Sequence, residues 1–414
     1  MIAGTNITML IGGSIAAYKS AELVRELVKK GARVHVVMSE GASKFITPLT
    51  LQTLSGHPVT TDLFDEERES RINHIWLADH AELILVAPAT ADIIARAAAG
   101  MANDALTTVL LASRAPVIVA PAMNVNMWLN PITKRNVETL KNFGMHFVEP
   151  TEGELACGWF GPGRFPELSS ITNAISYVLS PKDLDGTHVI VAAGPTREPL
   201  DPVRYITNRS SGSLGFAIAR VALWRGARVS LVAGPTSLTP PPGAEFHQVT
   251  TAVEMRDRVF DLASKNLAKN SDGTPLELVF MPTEVTDHMP ASFSKTKLRQ
   301  SEKGKLSIDL IPTPDILHEL GDKRIAIEKS AAKRIKLVGF IAEAIEEELL
   351  LDVARKKLEL KNADVMVVNA MDDSFESAAT RVWVMDRIGR QEEIASTDEF
   401  VTAGKIISSA LREV

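Results

Sequence analysis

The chain lacks the features of a disulfide-rich, secreted or membrane-spanning protein. Its 414 residues include one cysteine, Cys157, which excludes an internal disulfide and a zinc cluster made of cysteines alone. The most apolar window, residues 81–101, is interrupted by two acidic residues and an arginine, so it does not predict a membrane span. Residues 1–6 have no basic segment leading into an apolar run, which argues against a secretory signal. We therefore expect a cytoplasmic protein with no membrane partner.

Basic residues are too few to predict a nucleic-acid-binding domain. The chain has 45 Lys and Arg residues against 51 Asp and Glu, a formal net charge of −6. Residues 1–186 hold 15 basic and 19 acidic residues, and the remaining 228 hold 30 and 32. Neither half has the basic excess of such a domain, so we expect no nucleic-acid partner. An anionic ligand must be held by helix N-termini and individual cations.

Short apolar segments alternate with helical patterns in the first half of the chain. Residues 7–11 predict a buried strand, and the apolar spacing of residues 15–30 predicts a helix that ends at Gly31. A further helix and three further strands follow, at residues 92–99 and at 33–38, 83–87 and 117–120. This alternation is typical of a parallel, doubly wound α/β sheet.

The pattern restarts after a linker-like segment at residues 180–186. We predict a strand at 188–193, a helix at 214–225 and a strand at 228–232, and a closing helix capped by Thr397 or Asp398. Later strands are predicted at residues 278–281, 306–311, 337–341, 365–368 and 382–385. The chain is therefore expected to form two doubly wound α/β domains, at 1–186 and 187–414.

Two strand ends of the first half are candidate ligand sites. Gly12, Gly13 and Ser14 connect the first strand to a helix, where backbone N–H groups could hold a phosphate, although an ordinary tight connection has the same pattern. No G-x-G-x-x-G occurs there, which argues against a standard dinucleotide site. At the same edge of the sheet, the small residues around Thr90 could accept a flat ring, and Asn124 could bind a carboxylate. Each residue could equally be structural.

Two further residues of the first half could transfer protons. His74 is a candidate base, because histidine side chains can exchange protons near neutral pH, although a lone histidine is often a surface residue. Cys157 lies in a stretch rich in glycine, residues 154–164, that suits a surface flap carrying a proton donor. The alternative is that Cys157 is a small buried residue.

In the second half, hydroxyl groups and glycines precede a predicted helix. Residues 193–204 leave a strand with two arginines and an acid, and residues 208–215 then open a helix as a candidate phosphate site. Five cations between residues 295 and 305 could screen a triphosphate, or form a solvated charged loop.

Together these motifs resemble the bacterial bifunctional phosphopantothenoylcysteine decarboxylase/phosphopantothenate–cysteine ligase family of coenzyme A synthesis, along almost the whole chain. The first half carries IAAYK at 15–19, FITPL at 45–49, HI at 74–75, APATAD at 87–92, GMAND at 100–104, PAMN at 121–124 and ACG at 156–158. The second carries AGPTREPLDPVRY at 193–205 and NRSSGSLG at 208–215.

For residues 1–186 the resemblance implies a flavodoxin-like decarboxylase domain that binds FMN at the interface of a trimer. His74 would be the catalytic base, Asn124 the clamp on the substrate carboxylate, and Cys157 the proton donor on a flap. In that family the flavin oxidises the cysteine moiety of 4′-phosphopantothenoylcysteine to a thioaldehyde, and this oxidised substrate loses carbon dioxide. The reduced flavin then returns the hydride to give 4′-phosphopantetheine. The residues that would contact FMN are Gly13, Ser14, Ser39, Pro88, Ala89 and Thr90.

For residues 187–414 the resemblance implies a Rossmann-like ligase. In that ligase 4′-phosphopantothenate reacts with CTP to form an acyl-cytidylate, and cysteine then displaces CMP. Mg²⁺ is expected on the triphosphate, with unknown ligands, and the implied assembly is a homo-oligomer of decarboxylase trimers and ligase dimers. Asn208 would contact the acyl-cytidylate. Positions matching nucleotide contacts are Asp287, Lys297, Pro314, Asp315, Ile316, Leu317, Phe340, Lys357 and Lys361.

The sequence departs from the family pattern in three segments. MPTEVTDH at 281–288 replaces an alanine-rich stretch, KLRQ at 297–300 lacks the last cation of a lysine-rich run, and FESA at 375–378 replaces a Phe-Asn-type loop. These changes leave the nucleotide preference open. Two other classes also stay open: a nicotinamide oxidoreductase, against which the absent glycine motif argues, and a non-catalytic flavin-binding regulator, which has no need of His74, Asn124 and Cys157 together.

Overall fold

The computed structural model describes residues 2–63, 73–154, 158–265, 276–299, 306–343, 347–370 and 380–412. They form two compact units, Met1–Ser180 and Pro181–Val414. Each unit is mixed α/β with its own hydrophobic cores. Within the described residues, no helix is both long and apolar enough to cross a membrane.

The first unit is built around a parallel sheet. Its strands are β1 (Asn6–Ile11), β2 (Arg33–Met38), β3 (Leu83–Ala89), β4 (Val117–Pro121), β5 (His146–Phe147), β6 (Thr151–Glu154) and β7 (Phe160–Arg164). A 3₁₀ turn covers Ile15–Tyr18, and the helices are α1 (Lys19–Lys29), α2 (Glu40–Ser43), α3 (Pro48–Ser55), α4 (Asn73–His80), α5 (Ala91–Ala98), α6 (Ala105–Ala112), α7 (Val125–Leu129), α8 (Pro131–Asn142) and α9 (Leu168–Leu179).

The strand order of this sheet is β2-β1-β3-β4-β5, and each neighbouring pair is parallel. Every residue of β3 is buried, as expected of a central strand covered on both faces. One core contains α1, α3 and α9, and the other contains α4, α5, α6 and α8. The predicted doubly wound fold of this unit is confirmed, with β6 and β7 added as an antiparallel ribbon.

The predicted first helix is wrong in one detail. Residues 15–30 were expected to form one helix, but the backbone winds as a 3₁₀ turn over Ile15–Tyr18 before α1 begins. The tighter turn follows Ser14, whose hydroxyl accepts a bond from the N–H of Ala16. The helix ends as predicted, because Gly31 adopts a φ of +84°, which costs glycine little.

The second unit is built around a larger mixed sheet. Its strands are β8 (His188–Pro195), β9 (Arg197–Pro199), β10 (Tyr205–Thr207), β11 (Arg228–Ala233), β12 (Glu245–Gln248), β13 (Leu276–Met281), β14 (Thr283–Glu284), β15 (His288–Pro290), β16 (Leu310–Pro312), β17 (Arg334–Glu343), β18 (Val365–Ala370), β19 (Thr380–Asp386) and β20 (Gln391–Ser396). The helices are α10 (Ser213–Trp224), α11 (Ala252–Ala263), α12 (Ile316–Ala331), α13 (Glu347–Leu360) and α14 (Glu399–Leu411).

The main path of this sheet is β12-β11-β8-β13-β17-β18-β19-β20. The strands from β12 to β18 pair in parallel, whereas β19 and β20 run antiparallel to their neighbours. The expectation of a parallel sheet is therefore corrected at this edge. Residues 371–379 alone separate β18 from β19, and a parallel crossover needs a dozen residues or more.

The strand predicted at residues 306–311 is also corrected. Only its end enters a strand, β16, which pairs with β15 in a ribbon outside the main sheet. Leu306, Ile308, Leu310 and Ile311 are all exposed. Their alternating apolar pattern predicted a half-buried strand, but in the described residues these four side chains stay exposed instead of packing into the core.

A buried polar network lies at the amino-terminal edge of the second sheet. His188 Nδ1 is 2.7 Å from Glu277 Oε2, and His188 Nε2 is 2.9 Å from Ser230 Oγ. Lys333 Nζ lies 2.8 Å from Glu277 Oε1, and both side chains are completely buried. Each buried charge is therefore paired with an opposite charge, which limits the cost of removing it from water.

Candidate functional site

A cavity of about 620 Å³ lies at the carboxyl ends of β1, β2, β3 and β4 in the first unit. This is the edge at which open α/β sheets bind ligands. Four of the six predicted FMN-contacting residues line it: Gly13, Ser14, Ser39 and Thr90. The sheet therefore brings together residues from three separate strand–helix connections.

The three hydroxyl residues of this cavity are all helix caps. Ser14 Oγ accepts a bond of 3.3 Å from Ala16 N, Ser39 Oγ accepts one of 3.2 Å from Ala42 N, and Thr90 Oγ1 accepts one of 3.2 Å from Ile93 N. Each cap fixes the start of a helical segment beside the cavity. The backbone N–H groups of helix N-termini carry partial positive charge, which suits the phosphate of a nucleotide cofactor.

The cavity is shaped by a close approach of two glycines. A Cβ placed on Gly13 would lie 2.9 Å from both the Cα and the carbonyl carbon of Gly41. Real Cβ atoms do not approach backbone atoms so closely, so only glycine fits at position 13 without moving its neighbour. The connection that contains Gly13 and the helix α2 that contains Gly41 are thus in contact at a point with no room for a side chain.

Pro88 and Ala89 lie beneath this site and do not line the cavity. Both are buried, and their carbonyl oxygens accept bonds of 3.0 Å from Gly12 N and Ala122 N, respectively. Their backbones therefore connect neighbouring strand ends. The predicted contacts of Pro88 and Ala89 with FMN stay predictions.

Arg96 also lines this cavity, a position that its sequence context did not predict. Its guanidinium lies 2.9 Å from Asp92 and 2.6 Å from Asp104, and its side chain is 14% exposed. Burial opposes the charged form, but the bonds to Asp104 and Asp92 raise its pKa. Its Nε is buried without a hydrogen-bond partner in the described residues. The GMAND motif at 100–104 includes Asp104, the ion-pair partner of Arg96, so it is the sequence signal that could have identified Arg96.

Asn124 lines a second cavity, of about 370 Å³. Ser14, Ala122 and Met123 line both cavities, so the two sites adjoin. Asn124 caps α7, and its Oδ1 accepts a bond of 2.8 Å from Asn126 N. That bond holds the side chain at the rim of the second cavity, next to the first.

His74 and Cys157 are the remaining two proposed residues of the first unit. His74 is half-buried near the start of α4 and lines neither of them. Cys157 lies outside the described residues, in the connection between β6 and β7. Their catalytic roles therefore stay predictions.

Two adjoining cavities, of about 140 and 510 Å³, lie at the carboxyl edge of the second sheet. Ser210 and Ser211 line both. The smaller also contains Phe340, as expected of a nucleotide-contacting residue, and the larger contains Arg197. Hydroxyl groups, a cation and an aromatic ring are thus placed around the start of α10.

Asn208 and Glu284 lie at the entrance to the smaller cavity. Asn208 Nδ2 donates a bond of 3.2 Å to the carbonyl of Val285. This bond connects the start of the 208–215 motif, which contains the serine loop at 210–213, to the altered segment at 281–288. Glu284 lines the cavity, and burial, together with the charge of Asp287, raises the pKa of its carboxyl. An acid that resists ionisation is less repulsive to an anionic ligand than a free carboxylate.

The other predicted nucleotide contacts are distributed around this edge without lining the two cavities. Asp315 caps α12 and lies 3.2 Å from Lys361 Nζ, so these two form one polar cluster. Asp287 and Lys297 are exposed, whereas Lys357 is half-buried on α13. Pro314 precedes the cap, and the side chains of Ile316 and Leu317 are buried in the core, which leaves them only backbone groups for a ligand.

No group of three or more histidine, cysteine or acidic side chains suited to a metal ion occurs among the described residues. Mg²⁺ commonly binds through one or two carboxylates together with substrate phosphates.

Comparison with known proteins links both units to one family. Residues 1–180 match the flavoprotein family, and residues 184–413 match the C-terminal domain of the DNA/pantothenate metabolism flavoproteins. The chain is 43% identical over 401 residues to the coenzyme A biosynthesis bifunctional protein CoaBC of Bacillus subtilis (strain 168), covering 95% of this chain and 93% of the relative. It is 38% identical over 418 residues to the CoaBC protein of Mycolicibacterium smegmatis, covering 99% and 98%.

A crystal structure of the C-terminal domain of a CoaBC protein is 32% identical to this chain, with a TM-score of 0.43, and covers 55% of this chain and 94% of that one. The identity to the curated relatives extends through both units, and both units match their family models. The chain therefore belongs to the CoaBC family of bifunctional coenzyme A biosynthesis proteins.

Proposed function

We propose that this protein performs two successive reactions of coenzyme A biosynthesis. Its second unit couples 4′-phosphopantothenate to cysteine with CTP, through an acyl-cytidylate. Its first unit then decarboxylates the resulting 4′-phosphopantothenoylcysteine to 4′-phosphopantetheine with FMN. The observation that carries the proposal is that each unit has adjoining cavities at the carboxyl edge of its sheet, lined by residues of the motifs shared with this family.

FMN fits the cavity of about 620 Å³ in the first unit. The caps Ser14, Ser39 and Thr90 start helical segments there, and the contact of Gly13 with Gly41 leaves a surface without side chains. When bound, FMN supplies reversible two-electron oxidation of the cysteine moiety. The adjoining cavity with Asn124 would hold the substrate.

Three residues of the first unit would act on that substrate. Asn124 is fixed as a helix cap, so its amide can donate to the carboxylate that leaves as carbon dioxide. His74 would take the proton released during oxidation, and Cys157 would supply the proton that completes the product. His74 lines neither of the two cavities, so it would reach the substrate through a second copy of the chain or a moving segment. Cys157 lies outside the described residues.

A homo-oligomer would bring further groups to this site. Ile15, Tyr18 and Met127 are each about half exposed and belong to the cavity walls. Burial of exposed apolar surface drives association of protein subunits. We propose decarboxylase trimers joined through ligase dimers, which light scattering would reveal as a multiple of both two and three chains.

In the second unit, the serine loop at 210–213 would bind phosphate groups and Phe340 would pack against the base or ribose of CTP. Asn208 would contact the acyl intermediate. Lys297, Lys357 and Lys361 would neutralise the triphosphate with Mg²⁺, because a carboxylate reacts only when charge on the leaving pyrophosphate is stabilised.

The proposal is tested with the purified full chain. It should be yellow, and CTP, Mg²⁺, 4′-phosphopantothenate and cysteine together should yield pyrophosphate, carbon dioxide and 4′-phosphopantetheine. Omitting cysteine should abolish carbon dioxide release. A colourless protein that takes up no FMN would refute the first half, and absence of pyrophosphate with every nucleoside triphosphate would refute the second.

Variants of the proton-transferring residues divide the decarboxylase reaction into its steps. With 4′-phosphopantothenoylcysteine supplied directly under anaerobic conditions, His74→Asn should leave the flavin oxidised because the first step fails. Cys157→Ser should release carbon dioxide but leave the flavin reduced, because product formation lacks its proton. Stopped-flow absorbance measures both, and a normal yield of 4′-phosphopantetheine from Cys157→Ser would remove the cysteine from the mechanism.

A further inference from the structure

A buried aspartate and a partly exposed arginine connect two distant segments of the second unit. Asp201 is completely buried at its side chain, and its Oδ2 accepts bonds from Arg204 Nε at 3.0 Å and Arg204 Nη2 at 2.6 Å. Asp201 Oδ1 accepts bonds of 2.8 Å from the backbone N–H groups of Val203 and Arg204. The two oxygens are thus fully used, and the carboxylate is held in one orientation.

This pair also binds both backbone groups of Leu298. The Leu298 N–H donates a bond of 3.0 Å to Asp201 Oδ2, and the Leu298 carbonyl accepts a bond from Arg204 Nη2. A second attachment lies nearby, because Ser294 N donates a bond of 3.1 Å to the carbonyl of Leu200. The loop that carries Lys297 is therefore fixed at two points.

The charge state of the pair supports a permanent attachment. Burial alone would raise the pKa of the Asp201 carboxyl, but the bonds from Arg204 and from three backbone N–H groups lower it well below its usual range. Asp201 thus stays ionised wherever the protein is active. A charged acceptor holds the Leu298 N–H more strongly than a neutral one would.

The attachment joins two parts of the proposed ligase site. Arg204 precedes β10, which leads directly to Asn208 and the serine loop, while Leu298 directly follows Lys297. We infer that Asp201 and Arg204 are positioning residues, which fix the Lys297 loop beside the segment that binds the nucleotide and the acyl intermediate. This inference rests on the proposed ligase function. A lysine on an anchored backbone loses less freedom when it binds a triphosphate.

Hydrogen exchange on the wild-type full chain tests the attachment without any substitution. The amide of Leu298 should exchange at least about tenfold more slowly than a freely exposed amide, because its N–H is bonded to a buried carboxylate. Exchange at the free rate would overturn the inference, since the loop would then not be anchored.

Variants then test the functional consequence. Asp201→Asn keeps the side-chain shape but removes the charge and one acceptor. Asp183→Asn is the matched control, because Asp183 also forms a two-bond pair with an arginine of this unit, Arg225, at 2.9 and 2.5 Å. Each variant is measured for ligase kcat/KM with CTP, alone and combined with Lys297→Gln, and for decarboxylation of supplied 4′-phosphopantothenoylcysteine.

We expect Asp201→Asn to lower ligase kcat/KM about tenfold and to leave decarboxylation unchanged, with Asp183→Asn close to wild type. In the Lys297→Gln background, Asp201→Asn should have less than about a twofold further effect, because its role is exerted through Lys297. The inference is overturned if Asp201→Asn matches Asp183→Asn, or if its effect is equally large in both backgrounds. A wild-type chain that consumes no nucleotide would instead refute the proposed ligase function itself, whatever the exchange result.

Discussion

Replacing Gly13 with alanine should weaken FMN binding without unfolding the first unit. The added Cβ would lie 2.9 Å from two backbone atoms of Gly41, so the two segments that contain these glycines and line the cavity of about 620 Å³ must move apart. Overpacking of this kind costs about 1–3 kcal/mol. When this free-energy cost destabilises the conformation of the two segments that binds FMN, the affinity for FMN should drop by about 5- to 150-fold.

The assay is titration of FMN into the flavin-free protein, followed by flavin fluorescence, with far-ultraviolet circular dichroism as the check on folding. Gly404→Ala is the matched control, because it makes the same change in α14, where the Cβ would lie 3.9 Å from Val221 Cγ1. That variant should bind FMN as the wild type does. An FMN affinity of folded Gly13→Ala within about twofold of wild type would refute the assignment of these segments to the cofactor.

Two further predictions concern titratable groups. Burial, followed by the positive charges of His57, Arg33 and His80, lowers the pKa of His35 from 6.5 to about 4. The unfolded chain therefore binds this proton first, so the stabilising effect of neutral His35 is complete above pH 6.5 and is lost as the pH falls toward 4. His35→Gln should flatten the fall in stability across that range, measured by urea unfolding at several pH values; unchanged pH dependence would contradict this. In the second unit, Glu284→Ala should lower the KM for CTP, and the decrease should grow to about threefold or more as rising pH ionises the Glu284 carboxyl beside the anionic nucleotide. Steady-state kinetics at several pH values would measure it, and a raised KM would mean that Glu284 binds the nucleotide.

Much of the fold was predictable because strand burial and helix periodicity are local signals. The strand at Arg33–Met38 and the closing helix capped by Asp398 are confirmed. The antiparallel edge formed by β19 and β20 was missed, since strand direction depends on the connection and not on the apolar pattern. The ribbon strand β16 was misplaced for a related reason: alternating residues show amphipathicity, but not which surface covers them.

The site was predictable only where its residues follow strand ends. Ser14 and Thr90 were predicted because each follows a buried strand at the carboxyl edge of the sheet, and the structure places both in one cavity. The bond between Asp201 and Leu298 spans 97 positions, and no local pattern indicates which distant segment a buried acid will hold. The ion pairs of Arg96 were missed similarly, although the GMAND motif was visible.

The pair of Glu277 and Lys333 has a consequence for how this sequence can change over evolution. Both side chains are completely buried, so losing either partner alone strands an opposite charge in the core. Exchanging both together for apolar side chains of similar volume can be neutral only if His188, whose Nδ1 lies 2.7 Å from Glu277 Oε2, is replaced as well. Among related sequences, these two positions should therefore vary jointly. A lineage that loses the pair must either pass through a destabilised protein with one of the two substitutions or acquire both substitutions at once.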